Sequence, residues 1–149
     1  MATRCIIGKL ESEGDVSAIY CHWDGYPEGV GMTLMQHYLD ATKVDGLMLL
    51  GSLSSLGPEL GEKHPFSYHD VQMTSERCDE LYSNMCVAYG RDRGEADVGF
   101  RTYADVDDFA DNAMKDHGAE YLYLYEDGFW HCWDLQGRHI NFQDMTVGV

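Results

Sequence analysis

The groups able to do chemistry in this chain crowd into one short run: His22, Trp23, Asp24, Tyr26 and Glu28, separated by Gly25 and Pro27 and followed by Gly29. An imidazole, two carboxylates and two ring faces could serve either proton transfer or recognition. Nucleophilic catalysis would require a nucleophile, a base and an orienting group within reach of one another. Cys21 precedes His22 directly, but adjacent residues of a strand point to opposite faces, so the two make a poor dyad. Gly25, Gly29 and Gly31 read as turn and close-packing glycines. Asp24 and Glu28 would repel a phosphate, and neither GxxxxGK[ST] nor GxGxxG occurs.

What remains for the run is recognition. Flat aromatic surface beside two acids suits a basic or amphipathic partner, or the base of a nucleotide-like ligand, with His22 and Trp133 as further candidates for such a pocket. The competing reading is architectural. In it Trp23 and Tyr26 bury their rings in the core, Asp24 bonds the loop backbone, Pro27 pre-sets φ and Gly29 takes an unusual dihedral. Ring burial decides between them.

Other chemistries find less support. His22, His37, His64, His69, His117, His131 and His139 show neither the zincin helix spacing nor the paired spacings of a zinc finger, so no metal and no cofactor are expected. With 26 acidic residues, a pair of carboxylates says nothing about glycosidic chemistry. Catalytic residues are therefore not assigned, and a binding protein rather than an enzyme is expected.

Charge narrows the partner. Against those 26 acids stand 10 Lys and Arg, a formal net charge of -16, and such a surface repels nucleic acid and anionic membrane. It would meet a basic protein surface readily. Asp105, Asp107, Asp108 and Asp111 form the densest acidic group and join the 22–28 loop as candidate binding residues. Cys5, Cys21, Cys78, Cys86 and Cys132 are odd in number and form no CxxC pair, and the first residues lack a secretory h-region. A reduced, intracellular, soluble protein is the expectation.

The elements that must position these residues follow from periodicity. Thr3–Leu10 and Val16–His22 read as a β-hairpin about a Gly14-containing turn. Val30, Leu34, His37 and Tyr38 share a helical face, and Asp40 caps a second helix that ends at Gly51, with Ser52–Gly57 as one further turn. Residues 58–99 read as an irregular insertion, containing helical spacing at Cys78, Leu81, Tyr82 and Met85. Val106, Phe109, Ala110, Ala113 and Met114 stripe another helix that ends at Gly118. Ala119–Tyr125 and Phe129–Asp134 form a second hairpin about Asp127-Gly128, with Tyr121, Tyr123 and Tyr125 on one face and Leu122 and Leu124 on the other. A short strand follows at His139–Phe142. The expectation is a single α+β domain over 1–149, with two to four helices and both hairpins in one antiparallel sheet.

The run Tyr20-Cys21-His22-Trp23-Asp24-Gly25-Tyr26-Pro27-Glu28-Gly29-Val30-Gly31, with Thr3-Arg4 before it and EYLYLYEDGFWHCWD near the C-terminus, resembles a family of small bacteriophage and prophage proteins. That family is marked by a Y-x-H-W-D-G-Y-P-x-G-x-G loop. The resemblance covers roughly residues 1–60 and 100–135. It implies a setting rather than residue roles: a phage-type accessory protein in the cytoplasm of a bacterial host. Such a protein would block a host nucleic-acid-processing or defence protein, in the anti-CRISPR or anti-restriction manner, or sequester a nucleotide-like signal.

Overall fold

A computed structural model describes residues 2–66 and 74–141. β1 (Cys5–Leu10) and β2 (Val16–Cys21) pair antiparallel from Cys5 opposite Cys21 to Leu10 opposite Val16. β1 is apolar on both faces, which suits a strand covered by helices from both sides. After β2 the loop enters a π-helical turn at Pro27–Gly31 and then α1 (Met32–His37). α2 (Ala41–Leu50) is capped by the Asp40 carboxylate, which accepts from the Thr42 N–H at 2.7 Å, and ends at Gly51 with φ 74°.

The next residues depart from the helical reading. Ser52–Gly57 contains β3 (Leu53–Ser55), because Leu53 lies beside Cys21 and completes the core there. Nor is 58–99 wholly irregular: it holds α3 (Ser75–Tyr82), β4 (Val87–Ala88) and α4 (Tyr89–Arg93). β5 (Arg101–Tyr103), α5 (Val106–His117), β6 (Tyr121–Glu126), β7 (Phe129–Asp134) and β8 (His139–Ile140) complete the described chain. There are thus five α-helices among the described residues, one more than the upper expectation. Phe142, expected in the last strand, and His69 lie outside the described residues.

The eight-stranded sheet has the order β4-β3-β2-β1-β6-β7-β8, with β5 on β2. It is mixed, not antiparallel. β1 and β6 run parallel, Cys5 beside Tyr121 and Lys9 beside Tyr125, and that seam joins the two hairpins. The reason is the crossover. β5 is antiparallel to β2, α5 then recrosses the sheet, and β6 starts at the end where β1 starts.

Helices cover both faces. On one, Val30, Leu34, Tyr38, Val44, Leu47 and Met48 pack on Cys5, Ile7, Ile19, Cys21, Tyr123, Tyr125, Trp130 and Cys132. On the other, Phe109 and Ala113 of α5 pack on Ile6, Val16, Ala18, Leu122 and Leu124. The alternation in β6 therefore sends its tyrosines and its leucines into different cores. No helix among the described residues is long and apolar enough to cross a membrane.

Candidate functional site

The loop at 22–28 leaves the C-terminal end of β2 and stands over the start of β1. Its backbone is tied on both sides: His22 N–H to Leu53 O and Trp23 N–H to Ser54 O, both 3.0 Å, and Gly25 N–H to Thr3 O, 2.8 Å. From below, the Tyr123 hydroxyl donates to Gly25 O at 2.7 Å. Asp24 adopts φ 57°, a left-handed conformation that Asp tolerates, and its carbonyl accepts from Val30 N–H at 2.9 Å. Gly29 does not take a positive φ; it is a glycine because a Cβ there would collide with the Asp24 carbonyl oxygen. The expected unusual dihedral belongs to Asp24 instead.

Held in this way, the loop does not bury its aromatic rings. Trp23 is 44% exposed and Tyr26 38% exposed, while Gly25 and Pro27 on either side of Tyr26 are buried. The architectural reading therefore holds for the backbone and for Pro27, and fails for both rings. The Trp23 ring leans edge-on against His22 at 4.8 Å between centroids, and His22 Nδ1 lies 2.7 Å from the Tyr20 hydroxyl. His22 thus props Trp23. Tyr26 donates its hydroxyl to Asp24 Oδ1 at 3.3 Å, and Asp24 first, with Glu28, holds that phenol above its usual range.

Two surface concavities flank the crest. One, of about 400 Å³, is lined by Trp23, Asp24, Glu28, Thr33, Gln36 and Ser55 among others. The other, of about 290 Å³, includes Tyr26, Tyr121, Glu120 and Asp134. Trp133 lines neither; it packs beside the α5 core and stacks with His131 at 6.0 Å. Thr33, Gln36 and Ser55 were not candidates from sequence, and Ser55 could not be one while 52–57 read as helix.

The acids of α5 form a separate place. Tyr103, just before that helix, pairs with Val16 at the start of β2, whereas the loop follows Cys21 at its end. Two of the four acids are engaged by the helix itself: Asp105 caps it by accepting from Asp108 N–H at 2.8 Å, and Asp108 accepts from Ala104 N–H at 2.9 Å and from the Asn112 amide at 2.7 Å. Those bonds hold the Asp108 carboxyl below its usual range. Asp107 and Asp111 are exposed.

A third polar constellation was not legible in sequence. Asp92 is buried between His64 and Arg91; its Oδ1 accepts from His64 N–H at 3.1 Å and from Arg91 Nε at 2.9 Å, and its Oδ2 from Ala88 N–H at 2.8 Å. Arg91 also donates to Leu60 O and Cys86 O, and His64 Nε2 lies 2.8 Å from Cys86 O. Every partner is internal, so this network fastens 58–66 to the sheet. No group of three or more His, Cys, Asp or Glu among the described residues could hold a metal.

Comparison with protein-family models, with curated proteins and with solved structures finds no match to this chain.

Proposed function

We propose that this protein acts by binding, engaging a basic surface of a partner protein through the 22–28 loop. One observation carries the reading: Trp23 and Tyr26 stand exposed on a rigidly tied crest beside Asp24 and Glu28. Interfaces draw most of their energy from a few aromatic anchors of this kind. The charge of -16 steers a cationic partner and disfavours direct contact with nucleic acid or anionic membrane. On the resemblance above, the partner is a nucleic-acid-processing or defence protein of a bacterial host, and the place of action is its cytoplasm. In this reading Asp105, Asp107, Asp108 and Asp111 add to the field rather than to the contact.

The test is comparative capture from bacterial lysate by the wild type, a Trp23→Ala/Tyr26→Ala double variant and an Asp107→Asn/Asp111→Asn double variant. The expected result is a protein retained by the first and third, lost by the second and released as salt is raised. Equal retention by all three would overturn the reading.

The concavity of about 400 Å³ favours a second reading, since its volume falls within the range of small-ligand sites. There the protein would sequester a nucleotide-like signal against Trp23. Thermal shift with a panel of mono- and dinucleotides, repeated on Trp23→Ala, separates the two.

A further inference from the structure

We propose that the concavity between Trp23 and Glu28 is a socket for one arginine side chain of the partner, taken in preference to lysine. The inference rests on the reading of the loop as a protein-recognition surface and names the chemistry it recognises.

The concavity offers what a guanidinium needs. Its aromatic wall is Trp23, and a planar guanidinium stacks on an indole face while a compact, strongly hydrated ammonium gains less there. Its anionic side carries Asp24 and Glu28. The Asp24 carboxylate holds only the Tyr26 hydroxyl, at 3.3 Å, and the Glu28 carboxylate makes no hydrogen bond or salt bridge among the described residues, so a carboxylate is at hand for a forked donor. Gln36 and Ser55 add oxygen acceptors, and no Lys, Arg or His lines the space to compete. The wall is also set in advance. Trp23 is fixed through its backbone N–H to Ser54 and its ring against His22, which limits the ordering needed on binding.

The experiment is NMR titration of the full chain with acetyl-Gly-Arg-Gly-amide and its lysine and citrulline counterparts. The arginine peptide is expected to give saturable shifts at the Trp23 indole N–H and at the amides of Glu28, Thr33 and Ser55. The lysine peptide should bind about fivefold more weakly or worse, and the neutral citrulline peptide should leave those signals in place. Glu28→Gln, a conservative change on an exposed side chain, should weaken the arginine peptide by a similar factor without moving the melting temperature. Trp23→Ala should abolish the shifts. Equal binding of arginine and lysine peptides, or shifts spread over α5 as well, would overturn the socket. So would a mononucleotide that shifts these signals where the arginine peptide does not. The two failures are distinguishable. Equal arginine and lysine binding alongside Trp23-dependent capture removes the socket alone, whereas a selective socket in a protein whose capture ignores Trp23 removes the partner reading.

Discussion

The hydroxyl of Tyr123 donates a 2.7 Å hydrogen bond to the carbonyl of Gly25, 98 residues earlier in the chain. The tyrosine-rich strand β6 therefore forms the floor of the 22–28 loop, which gives a physical reason for the two to occur in one sequence. Tyr123 is fully buried, and burial pushes its phenol far above the usual range, so it remains a donor at any ordinary pH. Tyr123→Phe leaves the Gly25 carbonyl without that donor. A loss of about 1–3 kcal/mol is expected in urea unfolding. Amide exchange should quicken at residues 23–28 and stay unchanged in α5.

Gly29→Ala should be the most damaging small change in the loop. The added methyl meets the Asp24 carbonyl oxygen, whereas at Gly99 a methyl meets nothing within 4 Å. A cost of about 1–3 kcal/mol is expected at Gly29, the order for overpacking. Gly99→Ala should leave the unfolding midpoint within error.

The Asp92 network sets an acid limit on stability. Burial acts against ionisation of Asp92, but the Arg91 guanidinium and the N–H groups of Ala88 and His64 outweigh it and hold the carboxyl below its usual range. A folded-state pKa below the unfolded one means stabilisation present in full above about pH 5 and lost as pH falls through the folded value. Asp92→Asn should destabilise by about 3 kcal/mol at neutral pH, the order for removing one partner of a buried charge pair. Its gap to the wild type should begin to narrow only below about pH 4, the unfolded value, and close as pH falls through the lower folded value in melts run across that range; a gap independent of pH would refute the assignment.

All five cysteines are buried and unpaired. Burial pushes the Cys132 thiol up to about 12 and raises Cys5 and Cys86 as well. Native protein should therefore leave Ellman's reagent unreacted at pH 8 over the time in which the denatured chain titrates five thiols.

The four acids around α5 should separate into two classes. Asp105→Ala removes the cap on Asp108 N–H and should cost about 1 kcal/mol. Asp107→Ala and Asp111→Ala should be neutral within about 0.5 kcal/mol in the same denaturation experiment.

Sequence alone determined the local architecture wherever a short-range rule was decisive. Asp40 and Gly51 bound α2 because a carboxylate can cap a free N–H and only glycine takes that φ readily. Asp127-Gly128 turns the second hairpin through positive φ at both residues, and alternation in β6 sorts its tyrosines from its leucines. The candidate run at 22–28 was likewise visible as residue types. Tertiary structure decided the rest, since it depends on partners far apart in the chain. Leu53 became a strand residue because Cys21 offered it an edge, against the helical reading of 52–57. The hairpins joined in parallel because α5 recrosses the sheet between β5 and β6. Asp92 found His64 across 28 residues with no motif to announce it. Above all, the exposure of Trp23 and Tyr26 was a tertiary outcome. Backbone bonds to Thr3, Ser54 and Tyr123 hold the loop as a crest, so its rings face solvent instead of the core their apolar surface would favour.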